Sequence, residues 1–208
     1  RDRVQGVLAA RIDRLPDRAR QVLQTLSVIG RAFSLDLAES VVDASEEDLE
    51  AVLAALQDAE FIYEHPTVAG TQYMFKHALT QVVAYESLLG RARRALHERV
   101  AGAIEALHAS HPEDYYGELA LHFRLGGNAR KAIGYLQLAA GQAVQRSAHK
   151  EAVKHLITAL GLLETLPEGP ERVQRELAIQ VALGPPLALT RGYGDPEAGR
   201  PLLRAQEL

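Results

Sequence analysis

The run Tyr73-Met74-Phe75-Lys76-His77-Ala78-Leu79 constrains the fold most, because the chain passes there from a β-prone run to a helical one at a single histidine. Helical spacing dominates on the amino-terminal side. Arg1 to Leu15 carries Val4, Val7, Leu8, Ile12 and Leu15 on one stripe, and Pro16 ends it. Asp17 is placed to cap a second helix that reaches about Gly30, with Val22, Leu23, Leu26 and Ile29 inward. A short helix follows over Ser34 to Val42. Ser45 then stands before Glu46, Glu47 and Asp48, so a capping oxygen and three carboxylates meet the positive end of a helix that continues through Leu49, Val52, Leu53 and Leu56. After Glu60 the period changes. Phe61-Ile62-Tyr63 and Tyr73-Met74-Phe75 are two short β-prone runs separated by a connection holding Pro66 and Gly70.

The last three of these four helices and the hairpin predict a winged helix-turn-helix over residues 1–77. Such a fold commonly reads DNA, yet between Ala32 and Phe75 there are ten Asp or Glu and no Lys or Arg. DNA affinity rests largely on cations that neutralise the phosphate backbone, so the charge argues against DNA reading by this segment. A connecting helical pair is expected over residues 78–110. Its first helix, Ala78 to Leu89, offers Leu79, Val82, Val83 and Tyr85 or Leu89 to a core. Its second, Arg91 to Ala109, turns Leu96, Val100, Ile104 and Leu107 inward and Arg91, Arg93, Arg94 and Arg99 mostly outward.

From residue 111 to 208 the chain reads as consecutive helices with short breaks, the pattern of an α-solenoid. Tyr116, Leu119 and Phe123 form one stripe. Asn128 is placed to cap the next helix, with Ile133, Leu136, Ala140 and Val144, and a further helix carries Val153, Leu156, Ile157, Leu160 and Leu163 before Pro167. A small residue, a large one four later and a small one three later recur as Ala132-Leu136-Ala139, Ala152-Leu156-Ala159 and Ala198-Leu202-Ala205. That spacing resembles the tetratricopeptide consensus, as does Leu183-Gly184, although the copies do not keep the repeat's period of about 34 residues. Gly184-Pro185-Pro186 and the stretch from Arg191 to Pro196 are expected to break or bend the last pair. The concave face of such an array is the expected seat of a protein partner or a small inducer.

Other chemistry is sparse. Cysteine is absent, which excludes a disulfide framework and cysteine-ligated zinc and fits a reducing, cytoplasmic setting. No run approaches the roughly 18 apolar residues that span a bilayer, so no membrane partner is expected. Arg1-Asp2-Arg3 has no signal-peptide shape, and the lack of an initiator Met and the tail at Gln206-Glu207-Leu208 suggest a fragment. His97-Glu98-Arg99-Val100-Ala101 begins like a zinc-protease motif but has Ala101 at the second ligand position. Glu118 with His122, and Glu151 with His155, are spaced for helix-surface pairs, and His108 lies near His111; no metal is assigned. Neither a GxSxG nucleophile turn nor a GxxxxGK[ST] phosphate loop occurs, so this stretch is not expected to be an enzyme.

Phe75-Lys76-His77-Ala78-Leu79, followed by Val82-Val83-Ala84-Tyr85, resembles the end of the winged-helix domain in signal-transduction ATPases with numerous domains (STAND proteins), the group that includes NB-ARC-type switches. In those switches a Met-His-Asp motif sets its histidine against the β-phosphate of ADP. The resemblance implies that role for His77, with Lys76 in place of the Met and Ala78 in place of the Asp. The runs from Gly6 to Pro16, from Val28 to Phe33 and from Arg91 to His97 are similar to the region after the ATPase core in large bacterial regulators, among them proteins with an adenylate/guanylate cyclase domain and LuxR-type transcription factors. The implied whole is a non-catalytic regulatory arm. ATP or ADP would sit in an upstream ATPase domain of the same chain, and the repeats would take a partner or inducer. The alternative is a tetratricopeptide-like adaptor with no nucleotide link. A third class, a DNA-binding regulator using the Arg-rich helix after Gly90, stays open.

Overall fold

The computed structural model describes residues 2–67, 70–192 and 194–208. Parts of the Arg1-Asp2-Arg3 terminus, of the connection between Pro66 and Gly70, and of the expected break from Arg191 to Pro196 lie outside the described residues. The protein is mostly helical with one small antiparallel sheet. It divides into two compact units, residues 1–107 and His108–Leu208.

The first unit opens with α1 (Asp2–Asp13) and α2 (Asp17–Ile29). Leu8 and Ile12 are buried, whereas Val4 and Val7 stay exposed, so the apolar stripe of α1 is narrower than its sequence predicts. Asp17 is not the cap of α2. Pro16 holds that position, and Asp17 inside the first turn pairs instead with Arg20. The sequence reading missed β1 (Ala32–Ser34), which precedes α3 (Leu35–Val41). Ser34 ends the strand and caps the helix at once, its hydroxyl accepting from the Leu37 N–H at 3.3 Å. Ser45 caps α4 (Glu46–Asp58) in the same way through the Asp48 N–H at 3.2 Å, and Leu49, Val52, Leu53 and Leu56 are buried.

β2 (Ile62–Thr67) and β3 (Gly70–Phe75) are longer than their apolar runs suggest. The sheet order is β1-β3-β2, all antiparallel, with Phe33 opposite Tyr73 and Ile62 opposite Phe75. Pro66 lies within β2 opposite Thr71, which is permitted because β2 is an edge strand and has one free side. Phe75 on the central strand is fully buried and meets Phe33 edge-on at 6.3 Å between ring centres.

The helical pair after the sheet is packed into this unit. α5 (Ala78–Glu86) lies on α1 and α2, and α6 (Gly90–Leu107) lies on α2 and α3. α5 buries Thr80, Val83 and Ala84, leaves Val82 exposed and ends before Leu89, which is also exposed, and α6 buries His97 where the stripe predicted Leu107, which is exposed. Long-range hydrogen bonds tie these pieces together. Gln81 Nε2 donates to the Ser27 carbonyl at 2.7 Å, Gln24 Nε2 to Ser87 Oγ at 2.9 Å, and Arg99 to the Val41 carbonyl.

In the second unit a 3-10 turn (Pro112–Tyr115) leads into α7 (Tyr116–Gly126), α8 (Ala129–Gln145), α9 (His149–Leu163), α10 (Pro170–Arg191) and α11 (Pro196–Glu207). Each helix packs mainly on its neighbour in sequence. Ala132, Leu136, Ala139, Ala152, Leu156 and Ala159 are all buried, so the first two copies of the small-large-small spacing do line helix contacts. In the third copy Ala198 is buried and Leu202 lies over Gly184, where an added Cβ would stand 3.0 Å from the Leu202 Cγ. Val144 and Ile157, placed inward by periodicity, are exposed.

The break expected at Gly184-Pro185-Pro186 does not occur: α10 runs through both prolines. Gly184 has no Cβ to clash with the ring that follows it, and burial of Leu183, Pro186 and Leu187 holds the helix on its neighbours. The chain does turn at Gly192, whose φ is 96°, a conformation that glycine adopts without strain.

Candidate functional site

His77 is the last extended residue before α5, at φ −128° and ψ 132°. Its backbone carbonyl accepts from the Thr80 N–H at 3.0 Å, while its imidazole is exposed and makes no capping hydrogen bond. The first turn of α5 holds no acidic residue, so the positive end of that helix is unscreened by its own side chains. β3 delivers Lys76 next to it. Lys76 donates its backbone N–H to the Phe61 carbonyl at 2.9 Å and its ammonium to Glu60 Oε1 at 2.7 Å. Arg11 reaches the same corner from α1, donating to the Ala59 carbonyl at 3.0 Å with its guanidinium 5.1 Å from the Phe61 ring centre. The Glu60 carboxyl is held below its ordinary pKa, first by the Lys76 hydrogen bond and charge, then by Arg11 and His77. Lys76 thus neutralises Glu60 directly beside a helix amino terminus, and Arg11 and His77 add charge at longer range.

The other residues singled out by sequence are dispersed. His97 is buried, and its Nε2 lies 2.9 Å from the Tyr85 hydroxyl. Burial and then the charge of Arg93 lower its pKa to about 4, so it is a neutral packing residue between α5 and α6. Arg93 turns inward, over the Tyr85 ring at 4.6 Å and onto the Leu88 carbonyl at 2.9 Å, so two of the four expected outward arginines, Arg93 and Arg99, serve as ties within the unit. Arg91 and Arg94 are exposed. His108 stacks on Tyr115 at 3.7 Å, and His111 pairs with Glu113 at 3.3 Å. His122 is buried, whereas Glu151 and His155 form a helix-surface pair at 3.6 Å. Among the described residues no cluster of three or more His, Asp or Glu is placed to hold a metal ion, and no helix is long and apolar enough to cross a membrane.

A second site was not legible as one. α7 and α9 flank α8, and the space between them holds two adjoining cavities of about 260 and 230 Å³ that share Gly117 and His155. One is walled by Glu113, Asp114, Glu118 and Glu151, the other by Arg124 and Lys154. Desolvation raises the Glu118 carboxyl above its ordinary pKa against the opposing charge of His108, although the residue as a whole stays exposed. A further cavity of about 250 Å³ between α9, α10 and α11 is lined by Arg191, Arg200 and Arg204. Its guanidinium groups are already paired, Arg191 and Arg200 with Glu197 and Arg204 with Glu176.

No family model matches this sequence, and no solved structure does. An uncharacterized protein of Rhizobium meliloti (strain 1021) is 27% identical over 197 residues. That alignment covers 94% of this chain and 19% of the relative, so the chain spans about a fifth of the length of the protein it matches.

Proposed function

We propose that this chain is a non-catalytic regulatory arm of a STAND-type ATPase, in which residues 1–77 form a winged helix-turn-helix that registers nucleotide state and the helices after residue 111 form a tetratricopeptide-like solenoid that receives a partner or inducer. After α1, the order helix, strand, helix, helix, hairpin with the third strand central supports the first half of that reading. The observation that carries the nucleotide link is the exposed, uncapped imidazole of His77 at the start of α5, beside Lys76 and Arg11. An imidazole there can donate to a phosphate oxygen while the helix end favours the negative charge. ADP itself would belong to an upstream ATPase domain in a cytoplasmic protein. DNA reading is disfavoured because α3 and α4 present Asp36, Glu39, Glu46 and Glu50; desolvation and then repulsion from Glu46, Asp36 and Glu50 raise the Glu39 carboxyl above its ordinary pKa.

The test is ADP affinity of a longer polypeptide that includes the region upstream of Arg1. His77→Ala is expected to weaken ADP by about tenfold or more, the worth of one charge-assisted hydrogen bond, with helical content unchanged. Absence of ADP binding, or binding indifferent to the substitution, would sink the switch and leave an adaptor whose partner site is in the second unit.

A further inference from the structure

We infer that the solvent face of α10 pairs antiparallel with the same face of a second copy of this chain, about a two-fold axis at Ala178. It goes beyond the proposed function, which assigns no role to this face. From Leu177 to Thr190 α10 carries no charged residue. At 3.6 residues per turn Ile179, Leu183, Pro186 and Leu187 fall on one side of the helix and are buried. Leu177, Ala178, Val181, Ala182, Pro185 and Leu189 fall on the other side and are exposed, Val181 by 51% and Leu189 by 54%. A surface helix ordinarily turns charged side chains to water, and a helix apolar on all sides is one that is covered.

The polar groups of the face select the occupant. Its one polar side chain is that of Gln174, exposed one turn before Ala178. One turn after Ala178, the carbonyls of Val181 and Ala182 lack their usual helical donors, because Pro185 and Pro186 carry no N–H. An occupant that covered this face with apolar groups alone would bury those acceptors unpaired, which is costly. A second copy brings the donor. In an antiparallel pair centred on Ala178, position 174 of one helix stands opposite position 182 of the other. Each Gln174 amide then meets the carbonyls of Val181 and Ala182 across the axis, twice by symmetry. Ala178 on the axis is small and lets the two helices approach closely, and the antiparallel sense sets the positive end of each helix beside the negative end of the other. The face runs for about 20 Å and buries on the order of 1,000 Å² over two copies, the lower end of specific interfaces, which predicts a dimer in the micromolar range.

The absence of cysteine supplies a clean probe. Ala178→Cys is expected to give a disulfide-linked dimer under mild glutathione oxidation, because the axis sets the two thiols together, while Leu138→Cys on the exposed side of α8 stays monomeric. Gln174→Cys and Ala182→Cys chains, mixed, are expected to cross-link to each other and neither to itself. In sedimentation equilibrium Ala178→Glu, which sets two carboxylates on the axis, is expected to weaken the dimer at least tenfold with helical content unchanged. Gln174→Leu is expected to weaken it about tenfold as well, since the two carbonyls lose their donor. An interface held by apolar contact alone would tighten on that substitution, and tightening overturns the inference. A native chain that stays monomeric at about 100 μM overturns it too, as does cross-linking as ready at Leu138→Cys as at Ala178→Cys. Loss of the Ala178→Cys cross-link in a polypeptide extended past Leu208 also overturns it, the face then being covered by the protein's own chain.

Discussion

The two units bury their apolar residues in different ways. In the first, residues far apart in sequence are stitched to one another: Arg18 of α2 pairs with Asp48 at 2.8 Å, Arg11 of α1 reaches Ala59, Gln81 of α5 reaches Ser27, and Phe75 of the central strand meets Phe33. In the second, α7 to α11 contact mainly their sequence neighbours, and the longer ties, such as Arg130 with Glu171 at 3.2 Å, join helices close along the array. A network of distant contacts opens as a whole, whereas a stack of nearest neighbours opens in stages. The first arrangement suits a body that reports one state, and the second suits a surface that adapts to what it holds.

Core truncations test this contrast most strongly. Phe75→Ala is expected to cost about 3–5 kcal/mol, and Leu156→Ala about 2–5 kcal/mol. Hydrogen exchange should show the first loss spread over α2, α3 and α6 and the second confined to α8, α9 and α10. If Phe75→Ala loosened the hairpin alone, the contrast would fail.

Acid separates the units next. His97 has a folded pKa of about 4, below its ordinary value near 6.5, so the unfolded chain binds the proton first. Stability of the first unit should therefore be intact above about pH 6.5 and fall as pH drops towards 4, by on the order of 3 kcal/mol, with the loss complete below that value. His97→Gln should flatten that part of the urea-midpoint profile; a profile unchanged by the substitution would show that another group governs it.

Smaller effects sharpen the comparison. Gly184→Val should destabilise the end of the array by about 1–3 kcal/mol, because its branched side chain meets Leu202; an unchanged melting curve would mean that α11 simply shifts away. The caps should not distinguish the units at all. Ser45→Ala and Asn128→Ala each remove one oxygen from a backbone N–H, Asp48 in one case and Lys131 in the other, and each should cost about 1 kcal/mol in thermal melts.

What the sequence made legible follows the same division. Stripes such as Val22-Leu23-Leu26 and Leu49-Val52-Leu53-Leu56 were readable because each helix buries one face, and Ser45 and Asn128 were readable because capping is local chemistry. β1 was not, since three residues carry no period of their own and become a strand only when β3 pairs with them. Pro66 looked like a loop because the sequence could not show that β2 is an edge. His97 stood out in the sequence only as the start of an incomplete zinc motif, and it is buried between α5 and α6 with its Nε2 against the Tyr85 hydroxyl. The groove between α7 and α9 eluded sequence reading because its acidic wall joins a 3-10 turn, α7 and α9; the spaced pairs of Glu118 with His122 and Glu151 with His155 gave local hints of it on separate helices.

Pro185 and Pro186 add a consequence of their own. Neither ring nitrogen has a proton to give, so the carbonyls of Val181 and Ala182 lack their usual helical donors near the middle of the longest helix. The rod has two rungs missing at one level, and its bending stiffness there must come from packing by Leu183 and Leu187. A load carried along the array would concentrate its flexure at that joint, with the half of the helix on either side moving as a lever.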